Sequence, residues 1–382
     1  MRTAGIGLKE TAAKASRMVL KRPKPTEILW MNFAVTYLCN GRCRMCRIWE
    51  RYRGQPGLLK DELSLSEIES LLSSGYLQNL EGIGFTGGEP FLRRDFVDIV
   101  GLFVQHNPDA FISIATNGLS QGLIVRRTKE IIERHHPRLL GLSISLDGIG
   151  SRHDRMRGVQ GAYERVLNTV EAVQHELDIN LGFDFTITPW NYQDLWSAYE
   201  LSKGYGVKFL AGFAHNSDFY YDNAETAFEW GSTIEEAAST LQEVARDRAA
   251  TEPLLDKLAN PNACFMAKAP EYESQRARIF DCYSGVHSLF LDPYGQVYPC
   301  IILDEKLGSV RSESFDQLWL SSRSEGIRSR IEQQRCHCWV ACEAVPSMLR
   351  GLAVPRWNLV NKVLRPLVFR LNQHRQGEGA KG

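Results

Sequence analysis

Short apolar or β-rich runs recur along the first half of the chain, at 28–38, 82–86, 110–116, 139–146, 180–188 and 207–213. Between them, at 66–74, 94–105, 123–134, 163–176 and 192–203, apolar residues return every three or four positions, the period of a helix with one buried face. Ser64 with Glu67 three residues later has the form of a capping box at the start of the first of these helices. Six strand–helix alternations predict a parallel sheet with crossover helices, closed or partly closed as a (β/α)6 barrel over 29–213. The interior strands end in polar, glycine-rich turns: Thr86-Gly87-Gly88, Thr116-Asn117-Gly118 and Asp147-Gly148. In barrels of parallel strands chemistry collects at those C-terminal ends.

Beyond 213 the rhythm breaks. A connector over 214–281 contains one amphipathic stretch at 233–248 and a second helix expected at 270–280. The segment 282–346 is short and turn-rich, and Asp292-Pro293-Tyr294-Gly295 between two β-rich runs predicts a hairpin. The tail 347–382 carries apolar residues at 357, 360, 363, 364, 367 and 371 with Lys362, Arg365 and Arg370 among them, an amphipathic basic helix interrupted by Pro366. An arm at 1–28 is also basic. The tail helix is expected to pack across the barrel; binding of the basic arm and tail to an acidic partner or a membrane face is the less favoured reading.

Charge narrows the field of function. Lys and Arg total 45, and so do Asp and Glu, which argues against recruitment to nucleic acid by bulk charge. No apolar run is long enough to span a bilayer and the first residues lack a secretory apolar core, so a cytoplasmic location is expected. In that compartment thiols stay reduced, and clustered cysteines read as metal or redox sites. Of nine cysteines, eight fall in two groups.

The first group is Cys39, Cys43 and Cys46, spaced C-x3-C-x2-C directly after the first strand. Three thiolates with no fourth partner nearby suit a [4Fe–4S] cluster that keeps one iron open better than a closed tetrahedral zinc. The second group is Cys282, Cys300, Cys336, Cys338 and Cys342, enough for one further four-iron cluster, with structural zinc as the alternative. Cys264 stands alone, buried or a hydrogen-atom donor.

On these residues the sequence resembles the radical S-adenosylmethionine (SAM) family, with a C-terminal SPASM or twitch-type domain. The C-x3-C-x2-C motif, Gly87-Gly88-Glu89-Pro90, Thr116-Asn117-Gly118, Ser143 to Gly148 and His153 to Gly158 follow in the family's order. The resemblance implies a partial (β/α)6 TIM-like barrel and a SAM-binding [4Fe–4S] cluster on Cys39, Cys43 and Cys46. SAM contacts would come from Gly87, Gly88 and Glu89 at the amino group, Thr116 and Asn117 near adenosine, Ser143, Ser145 and Asp147 at the ribose and methionyl parts, and Arg157 at the carboxylate. Met45 stands where the family usually has an aromatic residue against adenine; a thioether also packs on a π-face. Gly295-x4-Cys300 resembles the opening of a twitch domain, and the ligands expected for its auxiliary [4Fe–4S] cluster are Cys282, Cys300, Cys338 and Cys342, with Cys336 as a substitute for Cys338.

The implied activity is reductive cleavage of SAM, driven by an electron donor such as flavodoxin or ferredoxin, and hydrogen abstraction by the 5′-deoxyadenosyl radical. The substrate expected is a small natural product such as an amino sugar or cyclitol, ahead of a ribosomally made peptide or a lipid. A non-enzymatic iron–sulfur scaffold is the alternative of another class. Candidate catalytic side chains are Asp184 in the fifth strand and His215 and Asp218 in the loop after the sixth.

Overall fold

The computed structural model describes residues 28–226, 228–252, 262–275, 278–333, 336 and 338–351. The expectations for the basic arm and for most of the amphipathic tail lie outside these residues.

Six parallel strands run side by side: β1 (Trp30–Thr36), β2 (Gly82–Gly87), β3 (Phe111–Thr116), β4 (Leu139–Ser145), β5 (Asn180–Ile187) and β6 (Lys208–Phe213). Each is followed in sequence by helical structure. The crossovers are α1 (Leu65–Leu72), α2 (Phe96–His106), α3 (Gln121–His135), α4 (Ser151–Arg157) with α5 (Ala162–Glu176), and α6 (Leu195–Gly204). The capping box at the start of α1 is formed, with the Ser64 hydroxyl accepting from Glu67 N and the Glu67 carboxylate accepting from Ser64 N.

Side chains alternate along β3, β5 and β6 between fully buried and half-buried. The buried set meets the helices: Phe33, Phe85, Phe96 and Phe103 interlock there, with Phe85 edge-on to both Phe96 and Phe103. The opposite, inner face mixes small and polar positions such as Asn32, Gly84, Ser113, Gly141, Ser143 and Asp184 with the larger Trp30, Phe111, Lys208 and Leu210. A (β/α) barrel normally fills its interior with layers of bulky branched residues. Here a cavity of about 590 Å³ remains inside the curve of the sheet.

The cysteine-rich segment is not a detached unit. Its strand β7 (Ser288–Leu291) pairs in parallel with β1, and β8 (Gln296–Tyr298) and β9 (Gly308–Ser309) follow in antiparallel fashion, giving one nine-stranded sheet. The expected hairpin is present: the Asp292 carboxylate accepts from Tyr294 N at 2.9 Å and Gln296 N at 2.8 Å, and Gly295 takes a positive φ of 84°. Helices were missed in this segment. After α7 (Thr233–Thr251) and α8 (Asn262–Gln275) come α9 (Phe315–Leu320), α10 (Ser322–Glu332) and α11 (Ala341–Gly351).

Two expected boundaries shift. The helix anticipated at 270–280 lies earlier, because Phe265, Met266, Ala269 and Tyr272 form a buried helical face and Pro270 is carried inside it. The boundary at 346 cuts α11, which also carries its proline, Pro346, internally. Removing the ring that locks β2 to the helices, Phe85→Ala, is expected to cost about 3–5 kcal/mol. Urea unfolding followed by circular dichroism measures it.

Candidate functional site

The three cysteines after β1 sit on a loop that the rest of the barrel holds in place. Arg42 N and Arg44 N donate to the carbonyls of Arg157 and Met156, each at 2.9 Å, zipping the loop to the end of α4. Gly41 lies between two thiols: a Cβ there would stand 3.5 Å from Cys43 Sγ and 3.6 Å from Cys39 Sγ. The Asn117 amide donates to Asn40 Oδ1 at 2.7 Å and approaches Cys39 Sγ at 3.8 Å, while Arg157 Nη1 approaches Cys43 Sγ at 3.5 Å. Burial, then the neighbouring Cys43, pushes the Cys39 thiol up to about 12 and raises Cys46 further. A metal therefore has to displace protons here. Among the described residues no three His, Cys, Asp or Glu groups stand close enough for one metal ion. A multi-iron cluster takes one thiolate at each of several irons and fits this more open triad.

Beside the loop, Gly87 and Gly88 end β2 against β1. Gly87 has φ +130°, and a Cβ on Gly88 would collide with the carbonyl oxygen of Leu38. Thr116 and Asn117 end β3 and also line the cavity, as do Met45, Ser143, Ser145 and Arg157. Asp184 faces the same space and hydrogen-bonds with Ser143; burial pushes its carboxyl up to about 6.

The loop after β6 closes the mouth. Arg51 stacks over Tyr37 at 4.3 Å and donates to the carbonyls of Asp218, Phe219 and Tyr220. Tyr220 hydrogen-bonds Thr86 Oγ1 at 2.7 Å, and Tyr220 and Tyr221 line the cavity. His215 lines it too, with Nε2 3.0 Å from the carbonyl of Trp339. Trp339 is buried, stacked parallel on Phe265 at 5.1 Å, and roofs the cavity together with Val340, Ala341 and Cys342. Cys39, Cys43, Cys46 and Cys342 thus border one space.

Behind that roof the remaining cysteines gather. Cys300 is buried, and its thiol is raised by burial and by the charges of Glu343, Cys338 and Cys282. Cys282 donates to Ser284 Oγ at 3.2 Å. Arg278 Nη2 donates to the Cys336 carbonyl at 3.0 Å and to its sulfur at 3.1 Å. Cys336 and Cys338 are near enough for the Cys336 charge to raise the Cys338 thiol, so the structure leaves both beside the group.

Sequence comparison bears on this arrangement directly. A model of the radical SAM superfamily matches residues 33–202, and one of an iron–sulfur cluster-binding domain, SPASM, matches 282–343. This chain belongs to the radical SAM superfamily. It is similar to an AdoMet-dependent heme synthase of Methanosarcina barkeri (strain Fusaro / DSM 804), 25% identical over 331 residues, covering 79% of this chain and 84% of the relative. A GTP 3′,8-cyclase of Yersinia pestis is 29% identical over 155 residues, 41% of this chain and 43% of the relative. Among solved structures, Streptococcus suis SuiB bound to the precursor peptide SuiA matches with a TM-score of 0.56 at 12% identity, covering 86% of this chain and 73% of SuiB. The chain is a radical SAM enzyme with a SPASM domain, and that family implies a SAM-binding [4Fe–4S] cluster and auxiliary iron–sulfur centres.

Several of the expected SAM-contact side chains are also held by the protein itself. Glu89 is fully buried and both its oxygens are used by the protein: they accept from Phe91 N, from Asn117 N at 2.8 Å and from Thr116 Oγ1 at 3.0 Å. It fastens the end of β2 to the end of β3. Asp147 is also fully buried, accepting from Thr186 N at 2.7 Å and pairing with Arg157 Nη2 at 2.5 Å. It holds the guanidinium, whose Nε–H has no partner among the described residues. A buried, unspent donor next to the cluster loop fits a carboxylate guest. Asp218 is exposed and stands outside the cavity lining, because Arg51 fixes its backbone and the side chain turns to solvent. Cys264 is exposed on α8 and lies neither in the core nor on the cavity.

Asn223 was not anticipated. Buried, it accepts from Ser217 N and donates to the carbonyls of Met45 and His215, tying the mouth loop to the cysteine loop. Only its place in a polar loop hinted at this. Asp184 provides the test of the cavity's electrostatics. Its folded-state pKa lies above the ordinary carboxyl value, so its contribution to stability is full below about pH 4 and is lost as pH rises through about 6. Asp184→Asn should therefore gain stability relative to the native protein across that window, read from urea midpoints at a series of pH values.

Proposed function

We propose that this enzyme abstracts a hydrogen atom from a small natural product, an amino sugar or cyclitol, and oxidises it. The observation that supports this reading is the single cavity bordered by Cys39, Cys43 and Cys46 on one side and by Cys342 on the other. A substrate there would lie between the residues that would hold the SAM-cleaving centre and those that would hold the auxiliary centre, which would supply an electron acceptor for a net two-electron oxidation. Bound at the first group, the cluster and SAM supply a 5′-deoxyadenosyl radical.

The chain's residues then orient and seclude. Arg157, held by Asp147, pairs with the SAM carboxylate. Met45 packs on the adenine, and Gly87 and Gly88 allow the cofactor close to the backbone. Asp184 with Ser143, and His215 held on Trp339, offer the polar groups that position substrate hydroxyl or amino groups. Trp339 and Tyr220 keep water from the mouth. Flavodoxin or ferredoxin supplies the reducing electron, and the enzyme works in the cytoplasm.

A tetrapyrrole is the second reading, favoured by the heme synthase relative, whose similarity spans most of both chains, and by the aromatic walls of Trp30, Phe111 and Phe265. Two measurements test these readings. Anaerobically reconstituted enzyme should hold about eight irons, falling to about four in the Cys39→Ala/Cys43→Ala/Cys46→Ala variant, which should form no 5′-deoxyadenosine. With SAM and reductant, 5′-deoxyadenosine should rise above the substrate-free level with aminocyclitols. A rise with Fe-coproporphyrin III alone would replace the first reading by the second.

A further inference from the structure

Deep in the cavity, away from the cysteines, one buried polar group is left unpaired. Trp30, the first residue of β1, turns its indole across β2, and a Cβ on Gly82 would collide with the ring. Phe111, the first residue of β3, crosses Gly141 in the same way, its ring 3.0 Å from where a Cβ would stand. Strand register puts Trp30, Gly82, Phe111 and Leu139 in one row, an apolar base at the N-terminal end of the barrel. The next row up is Asn32, Gly84, Ser113, Gly141 and Asn180, small and polar. Asn32 lies four residues before β1 ends at Thr36, about 13 Å along the strand from the turn that leads to the cysteine loop.

Asn32 is 6% exposed and lines the cavity. Its Oδ1 accepts from Trp30 Nε1 at 3.0 Å and lies over Gly84. An indole N–H only donates, so turning the amide over would set two donors against each other. Asn32 Nδ2 is thereby fixed on the side away from the indole, buried and without a hydrogen-bond partner among the described residues. A buried donor left unmade is costly, and a guest that brings an acceptor removes the cost. We propose that Asn32 is a substrate-binding residue at the floor of the lumen, donating from Nδ2 to an oxygen of the substrate, with Trp30 as the positioning residue that sets the amide. The group it takes is a hydroxyl, carbonyl or carboxylate oxygen. An ammonium has no lone pair to offer there and is directed up the lumen toward Asp184, so the substrate sits with an oxygen end down.

The inference rests on a substrate occupying the lumen; a cyclitol hydroxyl and a porphyrin carboxylate both present such an oxygen. Full-length reconstituted enzyme is compared with Asn32→Leu, which keeps the volume and removes the donor, and with Trp30→Phe, which keeps a ring on Gly82 and releases the amide. Aminocyclitols and Fe-coproporphyrin III are titrated separately, reading 5′-deoxyadenosine and the thermal unfolding midpoint. Whichever compound acts on the native enzyme should need about tenfold more for half effect in Asn32→Leu, and a smaller rise is expected in Trp30→Phe. The change should fall on the half-effect concentration and not on the saturating rate, which misfolding would lower. An unchanged half-effect concentration in Asn32→Leu would overturn the assignment. Without ligand, the urea midpoint of Asn32→Leu should equal or exceed the native one, because an unpaired donor is gone. If neither compound acts, the proposed reaction fails and the ligand-free comparison decides: a lower midpoint gives Asn32 to the fold alone and sinks its role in binding.

Discussion

Burial of charge next to a solvent-excluded cavity governs how this protein is built. The reaction space requires thiols, carboxylates and a guanidinium where water is scarce, and each is expensive there without a partner. The barrel resolves most of these costs internally. Glu89 spends its oxygens on backbone and hydroxyl donors at the ends of β2 and β3, and Asp147 spends its own on Arg157 and Thr186 N. What remains unspent is informative. Arg157 Nε and Glu343 Oε1 are among the buried polar atoms that find no hydrogen-bond partner among the described residues, and Arg157 lies beside the cysteine loop.

The second requirement is space. The strands satisfy two faces at once: large apolar residues toward the helices, and toward the lumen a mixture of glycine, serine and asparagine with Trp30, Phe111 and Leu210. Gly84, Gly141 and Gly182 make room for neighbours: a Cβ there would stand 2.7 Å from Asn32 Oδ1, 3.0 Å from the Phe111 ring and 3.2 Å from the Lys208 carbonyl. The mouth is then finished by irregular chain. Arg51, Asn223 and Trp339 fasten the loops there through backbone carbonyls, a mode of attachment that tolerates sequence drift in the loops while keeping their course.

Much of the fold was legible in the sequence, because the strand–helix periodicity is strong and each strand end carries a glycine-rich turn. All six strands appear near the expected positions. The cysteine loop and the motif order pointed to the cofactor class. The roles of individual side chains were less legible. Glu89 and Asp147 occur within SAM-contact motifs, yet motif membership does not say which way a carboxylate points, and both turn into the protein. Asp218 is three residues from His215, but an arginine from far away in sequence decides that only one of them faces the cavity. Cys264 adjoins buried Phe265, and one helical step of 100° carries it to solvent. The helices of the last segment escaped notice because their apolar residues are sparse among serines and charges.

The pairing of β7 with β1 has a consequence for biosynthesis. β1 is made early, yet its outer edge gains a partner only when the chain reaches Ser288. Until then a row of unpaired amides and carbonyls stays open on the ribosome-bound barrel, beside the loop of Cys39, Cys43 and Cys46. A truncated chain that ends before Ser288 would leave that strand edge open to pairing with another chain.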